Sequence, residues 1–246
     1  NITEKPDFSV TLSANSSYSY YQAVNIDKAN SMSATAVDGI KVTLNGISPR
    51  ILSNENYSAV CNNTFGSAQN AYANGVFSLK DIAISNLGAN QLTASVTFDG
   101  VTKSSVTQVY ITGLPFDHQP PTTTLGWVAN NGQTSFNGDY VKTGAAGANG
   151  EFSFSGISIP SGTKLSWGYR VKAYNDNFFN TETQTYRVYV GNDIAFEYSH
   201  KYGEEELSSS RDFVTTAYSN KITCRTDYCY ADSDTKTYRI ALSYSN

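Results

Sequence analysis

The chain is poor in the residues that most catalytic chemistry draws on. Its 246 residues include two histidines, three cysteines, one methionine and two tryptophans, so few imidazoles are on hand to serve a nucleophile as base. The sequence holds no Gly-x-Ser-x-Gly elbow, no Walker lysine motif and no Rossmann glycine fingerprint after a strand, which leaves hydrolase and nucleotide chemistry without a motif. No apolar run reaches the roughly 18 residues that a membrane-spanning helix requires. Charged residues make up only 15%, with 17 Lys and Arg against 21 Asp and Glu. No long basic run exists, which argues against nucleic acid, because phosphate neutralisation needs clustered cations.

What is abundant is polar and aromatic. Ser, Thr and Asn contribute 78 residues, about a third, and aromatics another 13%, a profile that points to an exported protein. The chain begins at Asn1 with no basic-then-apolar leader, so a mature chain whose signal segment is absent is expected. The odd cysteine count excludes a complete disulfide framework. Cys224 and Cys229 would face each other across a hairpin if the strands bring their Cα atoms to about 5.5 Å; two separate thiols are the alternative. A zinc site lacks the spacing and a nearby His.

The dominant periodicity is two. Leu92, Ala94, Val96 and Phe98 alternate with polar residues and run into Asp99-Gly100, a preferred two-residue hairpin turn. The pattern recurs at Phe8/Val10/Leu12, Ile40/Val42/Leu44, Phe152/Phe154, Leu165/Trp167/Tyr169/Val171, Tyr186/Val188/Val190, Ile194/Phe196/Tyr198 and Tyr238/Ile240/Leu242/Tyr244. Short antiparallel strands between Gly, Asn and Asp clusters are the mark of β-sandwiches and jelly rolls. Only Tyr72 to Leu79 and Glu204 to Ser210 have room for a short helical turn. Three of the six prolines fall between Pro115 and Pro121, which predicts a stiff extended linker outside any sheet. The expected architecture is therefore all-β and two-domain: residues 1–118 as an immunoglobulin-like sandwich, residues 119–246 as a jelly-roll-like sandwich. Trp127, just past the linker, is expected to pack between them.

The runs Val109-Tyr-Ile-Thr-Gly-Leu-Pro115, Gly126-Trp127, Gly150 to Pro160 and Thr185 to Asn192 resemble exported surface proteins of Bacteroidetes. In that family an Ig-like module precedes a β-sandwich module. The resemblance implies an outer-membrane-anchored lipoprotein or fimbria-associated protein, lipidated upstream of Asn1, and it carries no catalytic residue across.

Candidate chemistry is sparse. His118, beside Asp117, reads as a solvated loop residue, and His200 as a polar cap on a strand end. The carboxylates Glu151, Glu197 and Glu204-Glu205-Glu206 show no glucanase strand motif, and the triplet reads as a solvated loop or first helical turn. Asp232 and Asp234, with the Asn175 to Asn177 turn as second choice, are the best oxygen cluster for calcium, although such residues are also ordinary turn formers. Tyr18 and Tyr20 read as surface aromatics. The most informative set is the wet face of two strands: Arg170, Lys172 and Tyr174 on one, Arg187 and Tyr189 on the other. If these strands are hairpin neighbours they form one patch beside a loop carrying Phe178 and Phe179, a mixture suited to stacking on sugar rings and bonding their hydroxyls.

These readings predict a non-enzymatic adhesion or binding protein at a bacterial surface or outer membrane. Its second domain would recognise glycan, with no cofactor; calcium at Asp232 and Asp234 is the alternative. A structural or fimbria-associated subunit that binds surface-protein partners by edge-strand addition is the alternative.

Overall fold

The structure, a computed structural model, describes residues 7–14, 17–19, 41–46, 56–61, 64–68, 76–80, 87–144, 147–176, 178, 182–227 and 232–246. The chain divides into two compact units, Asn1–Thr112 and Gly113–Asn246. Both are built from β-strands, as the period-two patterning predicts.

The first unit holds β1 (Ser9–Ser13), β2 (Ser17–Ser19), β3 (Lys41–Asn45), β4 (Asn56–Cys61), β5 (Thr64–Ala68), β6 (Val76–Lys80), β7 (Gly88–Phe98) and β8 (Val101–Thr112). They follow the hydrogen-bonded order β1-β3-β6-β5-β4-β7-β8-β2. The β7–β8 hairpin turns at the predicted dipeptide: Asp99 and Gly100 have φ of +46° and +74°, and Phe98 pairs with Val101. Both central residues at positive φ match the right-handed twist of the strands. Leu92, Ala94 and Val96 are buried as the alternation requires. Of the segment Tyr72 to Leu79, residues 76–79 are not a helical turn but part of the strand Val76–Lys80, paired with β3 and β5; residues 72–75 lie outside the described residues. Ile40 and Tyr20 lie outside the described residues.

The second unit is a two-sheet sandwich. Its strands are β9 (Phe116–His118), β10 (Trp127–Ala129), β11 (Thr134–Asn137), β12 (Tyr140–Thr143), β13 (Gly150–Phe154), β14 (Lys164–Asn175), β15 (Gln184–Val190), β16 (Asp193–His200), β17 (Gly203–Val214), β18 (Ile222–Asp227) and β19 (Ser233–Tyr244). One sheet runs β10-β13-β18-β15-β16; the other runs β11-β12-β19-β14-β17, with β9 pairing β19. Their inner rows meet in one apolar core around Trp127, Phe152, Trp167, Tyr186, Val188, Ile222 and Leu242. Toward the Gln184 end of the sandwich the inner rows turn polar: Thr143 bonds Thr226 at 2.7 Å and Tyr186 bonds Thr237 at 3.1 Å across the two sheets.

Several expectations are corrected here. The proline-rich stretch is not a linker, because Phe116–His118 forms antiparallel pairs with Ile240–Leu242. Phe116, Asp117 and His118, between Pro115 and Pro120, keep their N–H groups for the ladder, and the division falls after Thr112 rather than near residue 118. His118 is not solvated but buried, accepting a 3.0 Å hydrogen bond at Nδ1 from Nε1 of Trp127. Trp127 packs within the second unit's own core, on Phe152, Phe154 and His118. Glu204 to Ser210 is neither loop nor helix but part of β17, a strand on the sheet edge. Tyr238 and Ile194 leave the inner rows assigned to them, because register shifts at Arg170/Val171 and Val188/Tyr189 interrupt the alternation.

Gly113 opens the second unit against a backbone it nearly touches. A Cβ placed there would stand 1.8 Å from the carbonyl oxygen of Gly156, and a backbone oxygen cannot rotate away. Gly113→Ala is expected to destabilise the protein by about 1–3 kcal/mol in chemical denaturation. Gly138→Ala, where nothing lies within 4 Å, should leave stability within about 0.5 kcal/mol; equal effects from the two would refute the close-approach assignment.

Burial pushes the His118 imidazole down to about 4, against the charge of Asp117, and in its neutral form Nδ1 is able to accept from Trp127. The unfolded chain takes up a proton there near pH 6.5, so it binds more protons than the folded chain between these values. Stability is therefore expected to fall as pH drops from about 6.5 toward about 4, and His118→Asn should flatten that part of a denaturation-versus-pH curve. Identical slopes in the two proteins would exclude His118 as the source.

Candidate functional site

The structure separates the residues that the sequence suggests as one patch. β14 and β15 follow one another in the chain but belong to opposite sheets, so Arg170, Lys172 and Tyr174 face outward from one side of the sandwich while Arg187 and Tyr189 face outward from the other. Alternation correctly identified the outward rows. It contains no information on which strand pairs with which.

On the β15 side, Arg187 donates to Glu197 and Asp227, and Arg225 donates to Asp227 at 2.6 Å. These groups satisfy one another, and the Glu197 carboxylate holds the Arg187 guanidinium above its ordinary range. Glu151 accepts from Asn130 at 2.6 Å. On the loop side of this unit Phe178 is 73% exposed and meets Tyr202 edge to face at 5.9 Å; Phe179 lies outside the described residues.

Asp234 is not a loop residue but lies on β19, largely buried, and accepts from Lys142 at 3.0 Å. That ammonium already balances the charge which calcium would neutralise. Asp232 is exposed beside it. Among the described residues no group of three or more His, Cys, Asp or Glu is arranged to hold a metal ion. Cys224 is a buried free thiol on β18, and Cys229 lies outside the described residues. His200, buried at the end of β16, bonds the Tyr198 hydroxyl at 3.1 Å and the Gly203 carbonyl at 2.9 Å, which locks the β16–β17 turn.

The β14 side carries a concavity. A groove of about 380 Å³ opens across β19, β14 and β17, within the range of small-ligand sites. Gly168 and Ala241 form its floor, Ser166, Ser208, Ser210 and Ser243 line it, and Arg239 is the charged residue of its lining. The floor is low because these opposed positions carry side chains of one or two heavy atoms or none: Gly168 pairs with both Ser210 and Ala241, and Ser166 with Ser243. Arg239 is fixed by Asp117, which accepts from Nε at 2.9 Å and from Nη2 at 2.8 Å. The same bonds hold the Asp117 carboxyl below its ordinary range. Nη1 stands 3.4 Å from where a Cβ on Gly168 would lie, over the floor of the groove.

Beside the groove, Arg170 donates to Glu206 at 2.7 Å and lies over the Tyr238 ring, 5.0 Å from its centroid; Tyr238 in turn packs on Tyr140 at 5.5 Å. Lys172 pairs with Glu204 at 2.7 Å, which raises its proton affinity. Arg170 and Lys172, picked out in the sequence, thus lie on the same outer face as the groove but outside its lining. The sequence reading missed Arg239 and the serines, whose signal was the cluster of small residues at alternate positions of three strands.

No family model matches the chain, and no curated protein matches it. Among solved structures, a CBM4 module is 18% identical, the match covering 49% of this chain and 95% of that one at a TM-score of 0.34. The N-terminal cellulose-binding domain of β-1,4-glucanase C from Cellulomonas fimi is 15% identical over 53% of this chain and 95% of that one, at 0.35. The secreted serine protease VesC from Vibrio cholerae is 10% identical over 96% of this chain and 51% of that one, at 0.33. Likenesses of this size carry no argument about what this chain does. No helix among the described residues is long and apolar enough to cross a membrane.

Proposed function

We propose that the protein is a non-enzymatic glycan-recognition protein, that the outer face of the β14 sheet is its binding face, and that the first unit serves as an Ig-like spacer. The observation that carries this reading is the hydroxyl-lined groove with an oriented guanidinium at its wall. A saccharide presents many hydroxyls that both donate and accept, and serine hydroxyls match them in either sense. An Arg already held by a carboxylate gives up less conformational freedom when it donates to a ligand. The Tyr238 ring beside the groove is covered by the Arg170 guanidinium, which a neighbouring sugar would have to displace before stacking there. Both tryptophans are in the core, so stacking on this face falls to tyrosine. A bacterial cell surface, with attachment through a lipid anchor, is the compartment we propose, on the strength of the Ser-, Thr- and Asn-rich composition and the resemblance to exported surface proteins.

A second reading has one observation in its favour. β17 is twelve residues long and exposed along most of its length, and among the described residues its outer edge pairs with no strand. Such an edge suits a surface-assembly subunit that adds a partner's strand.

The whole chain should retain immobilised polysaccharides in an affinity screen that spans neutral and acidic types. Ser210→Leu, which fills the groove from an exposed edge-strand position, is expected to weaken retention by roughly tenfold or more. Arg187→Ala with Tyr189→Ala, on the opposite sheet, should leave it unchanged. Retention lost only in the Arg187 and Tyr189 variant would move the site to the other face, and concentration-dependent assembly without saccharide binding would favour the second reading.

A further inference from the structure

The groove adjoins an arrangement of charge that stability alone does not favour. Lys142, Lys236 and Lys172 are direct cross-strand partners in one row over β12, β19 and β14. In the next row toward the groove Arg239 is the direct partner of Arg170. Directly opposed side chains project from the same face, about 5 Å apart at Cβ, and like charges so placed destabilise a sheet. Five cations therefore occupy the middle of this face in two adjoining rows.

Their carboxylate partners sit around the margin: Asp117 on β9, Glu204 and Glu206 on the edge strand, and Asp234 at the end of β19. Lys236, the central cation, has no carboxylate partner among the described residues; its ammonium lies over the Tyr140 ring, 5.4 Å from the centroid. Arg239 carries the stripe into the groove, with Nη1 over the floor.

Resting on the groove as the recognition site, we infer that its ligand is an anionic polysaccharide, with one carboxylate or sulfate at Arg239 in the serine-lined groove and the next along the Arg170 and Lys236 rows. Four of the five cations are already ion-paired, so the charge that an anionic ligand newly neutralises on binding is chiefly that of Lys236. The serine hydroxyls, which would serve a bare polyanion poorly, select for a hydroxylated chain that carries the anions.

The test uses the full chain with dextran sulfate, polygalacturonate, uncharged dextran, a neutral β-glucan and duplex DNA, each at low and high salt. One or both anionic polysaccharides should bind, the sulfate and carboxylate arms identifying the group, and salt should weaken binding strongly. Lys236→Thr should weaken it by roughly three- to tenfold while the thermal midpoint stays the same or rises, because the substitution relieves opposed charges and Thr suits a strand. Binding of a neutral polysaccharide that is indifferent to salt and to Lys236→Thr would overturn the anionic assignment and leave the glycan reading intact. Duplex DNA bound as tightly as the polysaccharides, with Ser210→Leu without effect, would reduce the stripe to a general polyanion surface. No binding to any saccharide would overturn both readings.

Discussion

β14 is hydrogen-bonded on both edges along almost its whole length, to β17 from Lys164 to Asn175 and to β19 from Leu165 to Asn175, and the second unit is organised around it. A strand paired on both sides has no freedom to slip, because a shift of one residue would turn its entire inner row to solvent. That inner row, with Leu165, Trp167 and Val171 buried, anchors the core. The outer row does the opposite work: Ser166 and Gly168 help line the groove, while Arg170 and Lys172 begin the cationic stripe. One strand's register thus fixes the hydrophobic core and the candidate binding face together, and the face inherits the rigidity of the core beneath it.

Much of this was legible in the sequence, and the reason is physical. Strand alternation records burial on one face, so the inward positions of β7, β13, β14 and β15 and the outward positions of Arg170, Lys172, Arg187 and Tyr189 could be read before any pairing was known. The Asp99-Gly100 turn was legible because few other dipeptides tolerate positive φ twice in succession. Pairing partners were not legible, since the hydrogen bonds of a sheet are made by backbone that every residue shares. That is why two correctly oriented rows were joined into a patch that the fold divides between opposite faces. The groove was hidden for the same reason: Gly168, Ala241 and Ser210 become one groove only when three strands distant in sequence lie side by side.

His118 shows a different limit. Its neighbours Pro115, Pro120 and Pro121 suggest an excluded linker, yet proline restricts only its own φ and removes only its own N–H, so the residues between prolines still form a strand. Once they do, Phe116 and His118 face the core, and the imidazole supplies the acceptor that buried Trp127 Nε1 needs. A buried indole N–H left unpaired would be costly, and this pairing explains a histidine in so apolar a place. Asp117, on the other face of the same three-residue strand, is thereby carried to Arg239.

The register shift between Arg170 and Val171 joins these elements. In unbroken register Arg170 would oppose Tyr238, since Val171 opposes Thr237. The extra residue instead moves Arg170 opposite Arg239 and turns Tyr238 outward beneath its guanidinium. A bulge interrupts a ladder and re-aims side chains; here it sets two like charges face to face, separates the lysine row from the groove by one aromatic ring, and leaves Arg239 positioned to bond Asp117. Deleting Tyr238 would restore regular pairing with Arg239 still opposite Arg170, and would take away the ring that the Arg170 guanidinium covers. The irregularity therefore lies where the fold trades regular pairing for the arrangement of the outer face, and the buried row beneath it remains continuous.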